Sequence, residues 1–516
     1  MKKYLFFLIL FSNFSLAQQI DSVTFPNKNY FIGFLNPKPK AFLLDTSIRD
    51  ISTLQYHSFS TKGQMIKVNH TQSFTDYLDI KMDLTKFSQE GIFNRENLKL
   101  YDVNTFFLFS NKKKNYTAQS LLSYQKIRTD ENGGLSENIS TDIDDPILYD
   151  VHLSSAQNTS KNRYHLFKHQ FKLNEQLSLL NQISVLKRTK TYTDNLPNSG
   201  YYSTIFLDST LTNDSIKNTH FNTQLGVKYK NLSFIHLLNR RSVSFYTTDS
   251  NIIDNGLGVC FDQYSQQLSV NLSIFQSGHY SFALEKVLDK NYQHTIFLEA
   301  QRHRVPIFYN HYISNHYRSQ NDFMLESTQS LSYFLKTPHI ELKSNIFHRL
   351  NHIYFNEFSQ VVQDSSSIFH TKNQLSFYWN FFRFKGVNSI EHQWTNNTQL
   401  IRVPIFNMSA SIWYENLFFE SLLRLKMGLK VNYFTSFYAK AYNPSLGLFY
   451  LQNNVEVGNV PLVDFFINFQ ISNMTINFQF QNLGFQFANQ VHYFIPNYVS
   501  QVGRIKLSLV WRLFND

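Results

Sequence analysis

The chain has 516 residues, 48 Lys and Arg against 37 Asp and Glu, a formal charge of +11 and a mean hydropathy of -0.31. That hydropathy excludes a bundle of transmembrane helices, and past the N-terminus no uncharged apolar run reaches the roughly 18 residues a spanning helix needs. The basic balance forms neither a dense stripe nor a known motif, so no nucleic-acid partner is expected; anionic lipid headgroups suit it better. Aromatic residues make up 16%, including 51 Phe and 30 Tyr, more than an ordinary soluble interior holds. Lipid-facing Phe and interfacial girdles would absorb them. Cys260 is the single cysteine, which excludes an intramolecular disulfide and reads as a small wall residue.

In chain order, Lys2 and Lys3, the apolar stretch Tyr4 to Phe11 and Ser15-Leu16-Ala17 predict a signal peptide over residues 1–17. Sec-type cleavage is expected near Ala17, before Gln18. Residues 18–50 show little alternation and are broken by Pro26, Pro37 and Pro39. They read as a periplasmic or lumen-inserted segment.

From residue 51 onward the text becomes strand-like. Leu78, Ile80, Met82 and Leu84 alternate with Asp79, Lys81 and Asp83, a two-residue period with one apolar and one charged face. A Lys at the middle of a bilayer costs about 2–4 kcal/mol, so the charged face must meet water. Further strands are expected near 98–109, 116–126, 164–173, 177–186, 221–229, 232–238, 268–275 and 292–301. The rest lie near 323–335, 340–350, 374–384, 387–394, 403–414, 418–433, 463–471, 474–480 and 505–513. In the clearest one Leu423, Leu425, Met427, Leu429, Val431 and Tyr433 oppose Arg424, Lys426, Gly428, Lys430 and Asn432.

Short connections (111–115, 174–176, 230–231, 336–339, 385–386, 415–417, 472–473) alternate with long ones (129–162, 189–218, 247–257, 305–319, 356–366, 435–444, 484–503). Short periplasmic turns and long outer loops characterise outer-membrane barrels. The fold expected is therefore all-β: a transmembrane antiparallel up-and-down barrel over residues 51–516, with roughly 16–20 strands. Between Val259 and Gln301 three candidates stand where an even number is required. Either 276–279 is a bulge or one candidate does not cross.

Parity places Lys228, Lys343, Arg349, Arg424, Lys426, Lys430, Lys506 and Arg512 toward the lumen, with Asp79, Asp83, Glu341 and Asp464 on the same side. Basic rings attract anions, which predicts a modest anion preference; the alternative is that these charges pair across strands and fill the interior. The 18 His show no metal-ligand spacing, and neither a catalytic site nor a cofactor is expected. A TonB-dependent transporter would need a plug domain of roughly 50 residues or more ahead of a barrel of about 22 strands, more than the segment before the first predicted strand supplies.

Four places carry a family resemblance: Glu131-Asn132-Gly133-Gly134-Leu135, Ser314-Asn315-His316-Tyr317 before Asn321-Asp322-Phe323, Pro461-Leu462-Val463-Asp464-Phe465-Phe466, and the ending Gly503-Arg504 to Trp511-Arg512-Leu513-Phe514. With them the chain resembles the putative porin family of the Bacteroidetes. The resemblance implies an outer-membrane location and a porin-like role; with the polar lumen it leads to the expectation of a porin passing small hydrophilic solutes by passive diffusion, as a monomer or trimer. Its partners would be outer-membrane lipid and lipopolysaccharide, the barrel-assembly machinery and the solutes themselves. Two alternatives stand beside it: a gated channel for hydrophobic small molecules with 18–50 as plug, and a closed structural barrel.

Overall fold

The computed structural model describes residues 51–513 except 61, 137–148, 199, 247, 264–266, 290–292, 485–492 and 500–502. The expectations for 1–17 and 18–50 fall outside the described residues. The wall consists of β1 (Ile51–Phe59), β2 (Gly63–Thr75), β3 (Leu78–Gln89), β4 (Leu98–Ser110), β5 (Tyr116–Asp130), β6 (Gln157–Lys172), β7 (Leu177–Asp194) and β8 (Thr212–Tyr229). It continues through β9 (Leu232–Phe245), β10 (Thr248–Gln263), β11 (Leu268–Phe275), β12 (Tyr280–Asp289), β13 (His294–His303), β14 (Glu326–Lys336) and β15 (Ile340–Leu350). It ends with β16 (Ile368–Phe381), β17 (Phe384–Thr395), β18 (Phe406–Phe418), β19 (Leu423–Phe434), β20 (Leu462–Ile471), β21 (Met474–Gln481) and β22 (Arg504–Leu513).

Each strand pairs antiparallel with its sequence neighbour, and β22 returns to β1 with Ser52 opposite Leu513 and Phe59 opposite Lys506. The result is one closed sheet of 22 strands. Closure leaves no edge carrying unpaired N–H and C=O groups, the condition for a sheet to stand in hydrocarbon.

The count exceeds the 16–20 expected, for local reasons. Residues 51–65 hold two strand segments, β1 ending at Phe59 and the start of β2 at Gly63. Residues 247–257, expected as a loop, belong mostly to β10, whose Asp249, Asn251 and Asn255 share a parity with Ile253 and Leu257 and so hide the alternation. Around 276–279 the chain turns between β11 and β12 and does not bulge, so four strands cover this region and the parity is restored.

At the end where β1 begins and β22 finishes, every connection is short, for example Lys230-Asn231 and Ser472-Asn473. Lys230 (φ 52°) and Ser472 (φ 48°) take the left-handed conformation that tight hairpin turns require. The long connections 131–156, 195–211, 304–325, 351–367, 435–461 and 482–503 all lie at the other end.

One face of the wall is apolar and exposed, with Leu257 at 68%, Phe234 at 56% and Leu225, Ile346, Leu375, Leu429 and Trp511 also open. Near the short turns Phe381, Phe382 and Phe419 stand out, as a girdle at the membrane interface would. Buried clusters lie chiefly at the long-loop end, the largest joining Ile216, Val243 and Phe245 of the wall to Ile307, Tyr312, Tyr317, Phe355, Val361 and Leu448.

Leu429→Arg would put a guanidinium on the apolar face about midway along β19. Urea titration of protein folded into lipid vesicles should show a loss of about 2–4 kcal/mol, whereas Lys430→Arg, one residue further and on the polar face, should leave stability within about 0.5 kcal/mol.

Candidate functional site: the polar face and the long-loop mouth

Direct cross-strand partners share a face, so the register can be followed around the ring. Glu415 stands opposite Lys426, Lys426 opposite Asn468, Asn468 opposite Asn477, Asn477 opposite Ser508 and Ser508 opposite His57. Tracing these rows through the other strands puts all twelve candidate charges on one face, opposite the exposed apolar residues. Lys430 lies opposite Asp464, Lys506 opposite Gln479, Arg512 opposite Thr53, Asp79 opposite Ser73, Asp83 opposite Asn69, and Lys228 opposite Ser233. Across from Arg349 is Thr328, and across from Lys343 is Phe334.

The structure brings some of these charges together and leaves others apart. Glu341 holds Lys343 at 2.5 Å and Lys336 at 3.9 Å. Arg424 donates from Nε to Glu415 Oε1 at 2.7 Å, and Lys385 reaches the same carboxylate at 3.2 Å. Lys372 pairs with Glu391 at 2.8 Å. Glu415, Lys385, Glu391 and Lys372 were not among the candidates, although their parity in β16–β18 could have marked them. Lys426 lies over the Trp413 ring at 4.0 Å and Lys506 over Phe59 at 5.5 Å, contacts that use the aromatic face and leave the charge available. Gly428 makes the first stack possible, because a Cβ there would meet Trp413 Cβ at 2.7 Å.

The other functional feature is the mouth formed by the long connections. Glu131 is almost wholly buried. It accepts hydrogen bonds from Asn158 Nδ2 at 3.0 Å and from the Tyr442 hydroxyl at 3.1 Å. Asn158, on β6, also donates to the Pro444 carbonyl at 2.7 Å, and the Lys190 ammonium on β7 donates to the carbonyl of Leu446. The 435–461 connection thus leaves β19 and reaches β6 and β7, far around the ring.

Gly133 (φ 73°) and Gly134 (φ 91°) turn the chain after Glu131. A Cβ on Gly134 would lie 2.8 Å from the Asn497 carbonyl oxygen, and the next amide, Leu135 N–H, donates to that oxygen at 3.1 Å. The 482–503 connection is thereby tied in. Burial and the nearby Glu131 push the Tyr442 phenol well above its ordinary value, so it stays a donor.

Asn315 is the second anchor. Its amide donates to the Asp208 carbonyl at 2.7 Å and to Thr212 Oγ1 at 2.8 Å, while its Oδ1 accepts from the N–H groups of Leu207 and Asp208 at 3.0 and 2.9 Å. His316 stacks on Tyr202 with ring centres 3.6 Å apart and an 8° tilt. Its Nε2 lies 2.7 Å from Thr212 Oγ1 and its Nδ1 3.2 Å from the Thr204 carbonyl. A neutral ring protonated on Nδ1 satisfies both, and burial lowers the pKa of His316 in the same sense. Tyr317 completes the anchor inside the main apolar cluster.

The Glu131 and Ser314 motifs, singled out by resemblance, are therefore structural centres of the mouth. The third, around Asp464, starts β20, where Asp464 accepts from the Asn482 N–H at 2.8 Å.

A match to the family described as putative porin extends over residues 46–515, nearly the whole chain. The chain belongs to the putative porin family. No curated protein matches it. Among solved structures it is similar to a variant ferric enterobactin receptor, PfeA, from Pseudomonas aeruginosa in complex with enterobactin. That match has a TM-score of 0.62 at 10% identity and covers 90% of this chain and 82% of that one. The siderophore receptor PiuA from Acinetobacter baumannii has a TM-score of 0.60 at 9% identity, with the same 90% and 82% coverage. For the ferric-catecholate import receptor Fiu from E. coli K12 the TM-score is 0.58 at 9% identity, again covering 90% and 82%. At such identities the likeness concerns the fold, and family and fold together fit a multi-pass outer-membrane β-barrel.

Two outcomes test the mouth. Gly134→Ala forces a side chain into a left-handed turn against Asn497, at a cost of about 1–3 kcal/mol, and should speed hydrogen exchange at the amides of Leu135 and Leu153. Acidification should loosen the His316 anchor. The folded chain holds this ring neutral, whereas the unlatched chain takes a proton near the ordinary value of about 6.5. The stabilisation is therefore present above that pH and declines as pH falls below it. Relative to the intrinsic exchange rate at each pH, protection at Leu207 and Asp208 should fall on acidification in the parent and be independent of pH over that range in His316→Ala.

Proposed function

We propose that the protein is a porin-family channel whose polar wall face lines a wet lumen for small hydrophilic solutes, and that the mouth formed by the long loops controls passage. One observation carries this reading: the twelve candidate charges share one face of the closed 22-strand ring, while the mid-height rows of the other face are apolar and exposed. A polar interior of that kind supports transport rather than catalysis. The signal-like segment up to Ala17 supports export, with the long loops facing outward. The loop contacts favour a gated form of passage over a permanently wide pore, because Glu131, Asn158, Tyr442 and Asn315 hold connections from distant parts of the ring together.

The siderophore receptors resembled here suggest small solutes as cargo without specifying which. Much of the polar face consists of pairs such as Lys343–Glu341 and Arg424–Glu415. Among the described residues Lys506, over the Phe59 ring, and Lys426, over the Trp413 ring and facing Glu415, are two of the polar-face cations with no ion pair, and we take them as the ones that act on a passing anion.

Planar-bilayer recording of the purified protein tests the reading. Stable conductance steps are expected, with weak anion preference in a KCl gradient. That preference should fall toward zero in Lys426→Gln/Lys506→Gln, and cation preference in the parent would overturn the selectivity. Tyr442→Phe should lengthen or enlarge openings. Electrical silence in both the parent and Tyr442→Phe would overturn the channel reading.

A further inference from the structure

The outer face of the wall is mostly apolar at mid-height, with single outward cations at Lys86, Arg240, Lys286 and Arg302; the densest group of cations lies on neighbouring long strands. β5, β6, β7 and β8 run 15, 16, 18 and 18 residues, and toward the long-loop end their outward positions turn basic. Tyr101, Lys126, Lys161, Thr189 and Lys217 form one row across five strands. The row nearer the turns reads Tyr124, Arg163, Lys187 and Thr219; Lys99 and Arg128 lie opposite each other in the row beyond. All seven cations are exposed.

Two contacts in this patch are unfavourable by themselves. Lys126 faces Lys161 directly across a strand pair, and Arg163 faces Lys187. Like charges in directly opposed positions destabilise a sheet unless something neutralises them. Among the described residues none of the seven has an ion pair. The nearest acid on this face, Asp130, already accepts from Asn97 and Gln157, each at 2.8 Å.

Depth decides what could neutralise them. The outward residues below Arg163 on β6 are His165, Phe167, His169 and Phe171, and their neighbours on β7 and β8 include Ile183, Leu179, Phe221 and Val227. Phe171 to Arg163 is eight residues, about 27 Å along a strand at ~3.4 Å per residue. With a tilt near 40° that is about 21 Å along the membrane normal, close to the height of the apolar band of such barrels. Tyr101 and Tyr124, 6.3 Å apart edge to face, sit at this level as interfacial aromatics do, and Arg163 lies 5.9 Å over the Tyr124 ring. The described parts of the overlying connection, 131–136 and 149–156, turn into the mouth, with Glu131 and Leu153 buried there.

We propose that Lys126, Lys161, Arg163 and Lys187, flanked by Arg128 and Lys217, form a binding site for the phosphorylated headgroup of an outer-leaflet glycolipid, its acyl chains lying against Phe167, Ile183 and Phe221. Ammonium and guanidinium groups on adjacent strands supply charge-assisted bonds to phosphate oxygens, and the apolar rows beneath supply the contact that free phosphate lacks. The assignment rests on the long loops facing outward, and it is independent of whether the lumen conducts.

The test uses full-length protein in detergent, with bound lipid counted by native mass spectrometry. Bisphosphorylated lipid A should be retained, and K126Q/K161Q/R163Q/K187Q should retain it roughly tenfold less, as loss of several charge-assisted contacts implies. Heat-modifiable gel mobility reports that each variant is folded, and K126Q/R163Q provides a milder change with the same direction expected. Dephosphorylated lipid A and phosphatidylglycerol should bind less than lipid A, and inorganic phosphate should not displace it.

Equal retention by the folded variants overturns the site, as does equal binding of the dephosphorylated lipid or displacement by free phosphate. A rise in lipid A binding when Glu137, Asp142, Asp144 and Asp145 are changed to amides would show that the chain's own acids occupy the patch, and would also overturn it. Conductance in lipid-A-free bilayers should be the same in parent and variants, so this result and the channel result fail separately.

Discussion

Hydrocarbon offers no partner to a backbone N–H or C=O, and the pairing of β1 with β22 answers that constraint for the entire wall. Once the ring is closed every strand has two neighbours, and side-chain parity becomes a global property. A row that begins at Glu415 and Lys426 remains polar through Asn468, Asn477, Ser508 and His57 because antiparallel register preserves the face from strand to strand. A one-residue slip anywhere would turn a row of charges into lipid. Short turns such as Lys230-Asn231 and Ser472-Asn473 protect against such slips by leaving the hairpins little freedom of register.

A ring of this size creates a second problem, since 22 strands enclose more space than wall side chains can fill. Part of the space is met by charge: acids and bases from adjacent strands form local ion pairs, and several cations rest on rings. At the long-loop end it is met by chain. The buried cluster of Tyr312, Tyr317, Phe355 and Leu448 is a small protein core assembled from three connections against β8 and β9. Its polar members are as important as its apolar ones. Asn315, with two donors and an acceptor engaged, fixes the 304–325 connection to 195–211 in a way that apolar packing alone would leave free to slide.

Much of the wall was legible in the two-residue rhythm, because a strand with lipid on one side and charge on the other is under strong opposing selection at successive positions. Val463 to Ile471 and Leu423 to Tyr433 are strands of that kind, and the register puts their charges on one face. The rhythm failed where polar residues occupy outward positions outside the apolar band. β10 opens with Thr248-Asp249-Ser250-Asn251 and looked like a loop; it is the extension of a strand beyond the lipid. The mouth was less legible for a different reason. Glu131 and Tyr442 are 311 residues apart in sequence, and local pattern carries no sign that two loops meet. Only the family resemblance carried by Glu131 to Leu135 and Ser314 to Tyr317 marked them. Gly133 and Gly134 are there for backbone conformation and Asn315 for its hydrogen-bonding capacity, which are reasons a periodicity cannot express.

The wall and the mouth are held by different interactions, and this bears on how the proposed channel would open. Barrel strands are held by continuous ladders of main-chain hydrogen bonds, each strand supported on both sides, so none can leave without breaking two ladders. The connections across the mouth are held by scattered bonds: side chains such as Asn158 to the Pro444 carbonyl, Tyr442 to the Glu131 carboxylate and Asn315 to the Asp208 carbonyl, and single main-chain bonds such as Leu135 N–H to the Asn497 carbonyl. Each such bond is worth about 0.5–1.5 kcal/mol net, or about 1.5–3 where a charged group takes part, and water can replace it when a loop swings outward. Opening the mouth therefore disturbs no main-chain bond of the ring. Within the mouth, polar and tyrosine groups can pass to water, whereas the apolar cluster of Ile307, Phe355, Val361 and Leu448 would lose contact on separation and so holds its connections more firmly.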